Sequence, residues 1–147
     1  MIQIVKDSDT RPWFFLQTAH TTYGMWVMET EHLEHLYYGE RITVDSQDPA
    51  SCAPLVIQRG FAPGNTCTYD KEHPHISMED VCLEVGTLGK GDIREPFLEV
   101  RFTDGSVTSD FTFDSYEVLT LKEREQWLQD SGLPHSYSEA KTDSAEC

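Results

Sequence analysis

The sequence predicts an all-β chain, an antiparallel β-sandwich with at most one short helix. Three observations carry this prediction. Short runs rich in β-branched and aromatic residues follow one another from Trp13 to Val44, an Asp104-Gly105 pair separates two runs of alternating apolar and polar residues, and helical character is confined to one segment, 122–129. A sheet with one apolar face must bury it against another layer, so two packed sheets are the expected architecture.

Taken in order, the runs 13–19, 22–28, 33–38 and 41–44 are punctuated by Thr30-Glu31-His32 and by Gly39-Glu40, the pattern of an antiparallel meander. Between Asp45 and His75 the pattern gives way to Pro49, Pro54, Gly60, Pro63, Gly64, Asn65 and Pro74, with only 55–58 strand-like. A loop of that length in a compact chain is usually functional or covered by a partner. The next β region places Leu98, Val100 and Phe102 before the Asp-Gly pair and Val107, Phe111 and Phe113 after it, which predicts a hairpin with arms 97–103 and 106–113. A short strand over 116–121 then leads into the helix, where Leu121, Trp127 and Leu128 make a thin apolar edge and Gly132 supplies a stop. The last ten residues, 138–147, are polar and acidic, the composition of a frayed tail.

Charge and length narrow the function. The 147 residues carry 11 Lys+Arg against 26 Asp+Glu, a formal net charge of −15 that opposes nucleic acid and anionic membranes as partners. No Lys/Arg-rich run supplies a local exception. At 38% hydrophobic residues the composition is that of one globular domain. A (β/α)₈ barrel needs about 250 residues and rarely fewer than about 200, so the chain cannot hold one. The N-terminus turns acidic at Asp7 before a signal-peptide apolar run forms, and no apolar stretch approaches the roughly 18–20 residues of a membrane span, so the expected location is the cytoplasm. Cys52, Cys67, Cys82 and Cys147 include no C-x-x-C pair and are expected as reduced thiols; the spacing of 15 between the first three joins segments that share no pattern.

Candidate chemistry is sparse. Glu31-His32-Leu33-Glu34-His35 is neither H-E-x-x-H nor H-x-x-E-H, and in a β context His32 and Leu33 face opposite ways, so no metal site is expected. His73-Pro74-His75 fixes two imidazoles in the long loop, where they either line a polar pocket or stand in solvent. Carboxylates are too abundant for sequence proximity to identify an acid/base pair, and Glu123 and Glu125 read as a solvated helix surface. The G-x-S-x-G elbow, the phosphate-binding loop and the dinucleotide-binding glycine pattern are all missing from the sequence, and no cofactor is expected. The most unusual local feature is Gly86-Thr87-Leu88-Gly89-Lys90-Gly91-Asp92-Ile93-Arg94-Glu95-Pro96. There Asp92 and Arg94 lie on one side of an extended segment, placed to pair with each other or to reach a ligand.

Four stretches together carry a resemblance: Leu33-Glu34-His35-Leu36-Tyr37-Tyr38-Gly39, Gly64-Asn65 with Tyr69-Asp70, Gly89-Lys90-Gly91-Asp92-Ile93-Arg94-Glu95-Pro96, and Gly132-Leu133-Pro134-His135-Ser136-Tyr137. In that order and spacing the chain resembles the start of a family 36 glycoside hydrolase, the microbial α-galactosidases. The resemblance implies a three-domain parent: an N-terminal β-supersandwich, a (β/α)₈ catalytic barrel and a small C-terminal β-sandwich. It implies retaining hydrolysis of terminal α-galactosides by two barrel aspartates, one of them in a Lys-Trp-Asp motif that this chain does not contain. On this reading residues 1–147 are the first part of the supersandwich, a truncated chain or partial reading frame without barrel or C-terminal sandwich, and no residue here is catalytic.

The same resemblance implies that an N-terminal-domain loop shapes the galactose pocket and that N-terminal domains help build a tetramer. The corresponding loop is roughly 59–80. Some relatives place an Asp before an Arg-x-Phe-x-Pro run and an Arg before a Ser-Leu-Asp stretch as sugar contacts; here Gln58 precedes Arg59-Gly60-Phe61-Ala62-Pro63, and Pro74-His75 stands at the second place, so neither contact carries over. Tyr69, Asp70, His73 and His75 are the substitutes, with groups able to hydrogen-bond sugar hydroxyls. Asp92 and Arg94 are assigned to holding their loop or an interdomain contact. Two alternatives belong to other classes: an independent carbohydrate-binding module with Trp13, Trp26 or Trp127 as stacking platforms, and a purely structural assembly domain. A severed supersandwich leaves an open edge or apolar face, so self-association is expected.

Overall fold

A computed structural model describes residues 1–6, 11–56, 68–90 and 93–132. Its centre is an antiparallel sheet in the order β1-β2-β3-β4, comprising β1 (Ile2–Lys6), β2 (Pro12–Gln17), β3 (Thr21–Val27) and β4 (Leu33–Glu40). Three of these are the first three runs of the meander. The fourth, β1, was not legible as a strand. Its Ile2-Gln3-Ile4-Val5 alternation sends Gln3 and Val5 to the face that carries Trp13 and Phe15, with Val5 opposite Trp13 and Gln3 opposite Phe15.

That face is the main core. Val5, Trp13, Phe15, Val44 and Cys52 are buried together, and Ile42, Leu55 and Val56 pack against them. Each large side chain so buried contributes about 1.5–3 kcal/mol, enough for a handful to hold the layer. Trp13 and Trp26, paired across β2 and β3, stack with ring centroids 4.7 Å apart. The cover is not a strand. Arg41–Val44 was expected as the last rung of the meander, but no ladder includes it. Thr22 Oγ1 accepts from Ile42 N at 3.1 Å, Gln17 Nε2 donates to Ile42 O at 2.8 Å, and Gln3 Nε2 donates to Val44 O, so side chains take bonds that a neighbouring strand would make. The chain then enters the 3-10 helix Pro49–Leu55, capped by Asp48 accepting from Ala50 N at 3.0 Å, which ends the expected strand 55–58 at its first residue. Residues 57 and 58 lie outside the described residues.

A bulge between Gly24 and Met25 leaves Leu36 without a register partner on β3, and Leu36 joins the main core. A second cluster, Met28, Ile76, Met78 and Val81, lies beyond the ends of β3 and β4 and shares Trp26 with the first.

The opposite sheet face, bearing Ile2, Ile4, Phe14, Leu16 and Met25, is partly covered by an extended segment, 113–118. Tyr116 meets Phe14 edge-on at 5.1 Å. The expected strand 116–121 makes no ladder. The expected hairpin is also corrected: the turn at Asp104-Gly105 closes, with Phe102 N donating to Ser106 O at 2.9 Å, but its arms do not ladder with each other. Phe97 N bonds Gly86 O, Ser109 N bonds Leu88 O and Phe113 N bonds Glu31 O, so each arm finds a different neighbour.

The predicted helix is α1 (Leu121–Ser131). Thr120 and Glu123 form a capping box, and Gly132 ends it at φ 67°, a left-handed conformation that favours glycine. Among the described residues no helix is long and apolar enough to cross a membrane.

Candidate functional site

Three segments that are remote in sequence converge on the turn between β3 and β4. Its His32 is almost wholly buried, 3% exposed, and Nε2 lies 2.8 Å from Asp110 Oδ1. A carboxylate only accepts, so Nε2 carries the proton and Nδ1, 3.0 Å from Thr30 Oγ1, accepts from that hydroxyl when the ring is neutral. The Tyr69 hydroxyl donates to Asp110 Oδ2 at 2.9 Å, and Lys90 Nζ approaches the same oxygen at 3.2 Å. Lys90 also stands over the Tyr69 ring, 5.1 Å from its centroid, and His32 meets that ring edge-on at 5.0 Å.

Burial raises the Asp110 carboxyl, but bonds from His32, Tyr69 and Lys90 outweigh it and hold the group below the usual carboxylate range. Tyr69 moves the other way. Burial first, then the bond to Asp110 and the negative charges nearby push its phenol up to about 12. Asp110 is thus an ionised carboxylate with three donors on its two oxygens. Such a group is a lock between segments and has little capacity left to exchange a proton or attack a substrate.

A second carboxylate does similar work at the edge of β4. Glu84 accepts from the Tyr23 hydroxyl at 2.6 and 2.7 Å and from His35 Nδ1 at 3.2 Å. His35 N bonds Cys82 O and Glu84 N bonds Leu33 O, so residues 82–84 lie along β4 and cover part of its edge. Burial, followed by the Glu84 bond and charge, raises Tyr23 to about 12.

The loop residues expected near substrate are divided among separate partners. Tyr69 belongs to the Asp110 cluster. Asp70 closes its own turn, accepting from Glu72 N at 2.8 Å, His73 N at 2.7 Å and His73 Nδ1 at 2.9 Å. His75, beyond Pro74, turns instead to Glu29 beside the β3–β4 turn. The loop is closed by Tyr69 N bonding Ile76 O at 2.8 Å. Tyr69, Asp70 and His73 therefore stand together on one fixed loop, with the His73 ring bonded to Asp70 and its centroid 6.2 Å from that of Tyr69, while His75 is directed to Glu29. Arg94 donates through its NH2 group to the carbonyls of Met78 and Val81, tying the glycine-rich segment to the 3-10 helix Met78–Asp80. Asp92, expected beside it, lies outside the described residues, as does the stretch 57–67.

Lys90 and Asp110, central here, were not singled out in the sequence. No spacing rule links positions 32, 69, 90 and 110, and each alone looks like an ordinary surface charge or turn residue. Among the described residues no three His, Cys, Asp or Glu side chains group as metal ligands. Cys52 is a buried free thiol and Cys82 an exposed one. Of the possible stacking tryptophans, Trp13 is buried and Trp26 packs into both core clusters, while Trp127 is 51% exposed on α1.

Among the described residues, two hollows bear on the site. One, of about 320 Å³, lies between the Ile4–Phe14 face and segment 113–118. The other, of about 300 Å³, is an open cleft between 83–86 and 94–97.

Residues 31–147 match the family model described as Glycosyl hydrolase family 36 N-terminal domain. The bifunctional α-galactosidase/sucrose kinase AgaSK of Mediterraneibacter gnavus is 36% identical over 128 residues, covering 87% of this chain and 12% of the relative. The α-galactosidase AgaA of Geobacillus stearothermophilus is 25% identical over 126 residues, covering 86% and 16%. The crystal structure of the α-galactosidase from Lactobacillus brevis superposes with a TM-score of 0.65 at 31% identity, over 79% of this chain and 14% of that one. The chain spans between 12% and 16% of the length of the curated relatives it matches.

Proposed function

Since the chain belongs to glycosyl hydrolase family 36 through its N-terminal domain, we propose that it is the non-catalytic N-terminal portion of a longer α-galactosidase and supports that enzyme's sugar pocket and oligomer assembly. The observation that carries this reading is the family match over 31–147, in a chain whose matches cover no more than 16% of the relatives concerned. On it, residues 1–147 are part of a β-supersandwich, the barrel and C-terminal sandwich lie on further sequence, and the α-galactoside is hydrolysed with retention in the barrel. The whole enzyme works in the cytoplasm as a tetramer.

The chemistry of the described residues supports a supporting role. Asp110 and Glu84 have their oxygens committed to tyrosine, histidine or lysine donors, and neither is poised as an acid/base group. What they do is hold the 69–75 loop and the 82–84 segment to the sheet. A loop fixed in this way can present Tyr69, Asp70, His73 and His75 at the margin of a pocket completed by another domain, at little ordering cost on binding.

The test combines two measurements on the chain itself with one on its gene. Hydrolysis of p-nitrophenyl α-D-galactopyranoside and calorimetric titration with galactose are both expected to be blank. The encoding frame is expected to continue into a barrel bearing Lys-Trp-Asp. Turnover by the chain alone overturns the reading, and saturable galactose binding replaces it with an independent carbohydrate-binding module.

A further inference from the structure

The two edges of the sheet are not alike. Along β4, residues 82–84 lie against the strand and close part of its edge. Beyond β1 no strand stands among the described residues, so Ile2–Lys6 ends the sheet. Its main-chain groups can be assigned one by one. Met1 and Gln17 exchange both bonds, Gln17 N donating to Met1 O at 2.8 Å and Met1 N to Gln17 O at 2.6 Å. Bonded and non-bonded positions alternate in an antiparallel pair, so Gln3 and Val5 turn their main-chain groups to Phe15 and Trp13. Lys6 falls opposite Pro12, which has no N–H to give, as a non-bonded position requires. Ile2, Ile4 and Lys6 therefore point their N–H and C=O groups out of the sheet.

What fits that edge is a second copy of this chain. About a twofold axis at Ile4, perpendicular to the sheet, Ile4 meets its own copy and Ile2 meets Lys6, the register that engages all three outward residues. No like charges then stand opposite each other. Residues 1–6 contain no carboxylate in a chain of net charge −15, so the seam falls where two copies repel least. The side chains agree with the main chain. Ile2 and Ile4 line the apolar hollow of about 320 Å³ together with Phe14 and Leu16, and the twofold sets one such row beside the other on the same face. Gln3 and Val5 stay turned to the main core of each copy. Resting on the assembly half of the proposed function and deepening it, we propose that β1 is the seam of a twofold dimer of this chain, joined strand to strand through the outward main-chain groups of Ile2, Ile4 and Lys6.

The test is sedimentation of the full chain over a range of concentrations, with amide exchange followed by NMR at both ends of the range. Expected is a monomer–dimer equilibrium that tightens at least threefold when salt is raised, because the net charge of each copy opposes it. At high concentration, exchange at Ile2, Ile4 and Lys6 is expected to slow at least tenfold while Gln3 and Val5 keep their rates. Ile4→Lys and Ile4→Glu, each shown to be folded by near-ultraviolet circular dichroism, are each expected to weaken the dimer at least tenfold. Mixed together they are expected to restore it, because position 4 meets position 4. Four results overturn the proposal: a chain that stays monomeric at its highest soluble concentration, a dimer without the alternating exchange pattern, a dimer that both variants leave intact, or a mixture of the two that stays monomeric. Each of these leaves the blank galactoside assays untouched, whereas turnover by the chain alone removes the supporting-domain reading whatever sedimentation shows.

Discussion

The Tyr69 hydroxyl donates a hydrogen bond to the Asp110 carboxylate at 2.9 Å across 41 positions of sequence, and joins the long loop to an arm of the Asp-Gly turn. Since Asp110 also receives His32 and Lys90, one side chain ties three segments to the β3–β4 turn. The stability of this corner therefore depends on a single charge.

Asp110→Asn removes that charge and leaves His32, Tyr69 and Lys90 sharing one amide oxygen. Hydrogen bonds to charged groups contribute about 1.5–3 kcal/mol each, and their partial loss is expected to cost about 2 kcal/mol overall. Urea unfolding measures it, and Tyr69→Phe, which deletes one donor, is expected to cost about half as much.

The acid limb follows from the same group. Its folded value lies below the ordinary 3.8, so Asp110 contributes stability above that value and loses it as pH falls below 3.8 through the folded value. Thermal melts across this range are expected to fall less steeply for Asp110→Asn than for the unaltered chain.

The alkaline limb has the opposite sign. Tyr23 and Tyr69 are raised from 10.0 to about 12, so their neutral phenols contribute stability that is complete below pH 10.0 and is lost as pH rises to about 12. Phenolate absorbance is expected to show two tyrosines ionising late. In Tyr23→Phe and Tyr69→Phe one late step disappears, and the melting temperature declines less over the same interval.

Gly89 sits at φ 103°, and a Cβ built there lies 2.6 Å from Thr108 Oγ1 and 2.7 Å from Thr108 Cγ2. Gly89→Ala is expected to cost about 1–3 kcal/mol through backbone strain, with the clash added. It also shifts the neighbouring Lys90, so amide exchange at Tyr69 and Asp110 is expected to speed up more than exchange in β1 and β2.

What was legible in the sequence was what local chemistry decides. Trp13-Phe14-Phe15-Leu16 is a strand in any register because its bulk suits a pleated surface, and Thr120, Glu123 and Gly132 bound a helix by capping alone. The four motif stretches located the family for the same reason: they are contiguous. The candidate site was legible only as a loop. Tyr69, Asp70, His73 and His75 were identified as polar groups with a fixed backbone, but their partners Asp110 and Glu29, and the central Lys90, have no sequence spacing in common.

By itself, then, the sequence determined the all-β class, the three-strand meander at its heart, the capped helix, the acidic charge and the family. Tertiary structure decided the pairing. Ile2–Lys6 became an edge strand because β2 offered it a free ladder, while Arg41–Val44 did not because Thr22, Gln17 and Gln3 took its backbone groups first. The arms of the Asp-Gly turn bonded Gly86, Leu88 and Glu31 in place of each other. A backbone N–H or C=O is the same donor or acceptor in every residue, so propensity sets which segments extend, and only the packed chain sets which of many equivalent partners each one meets.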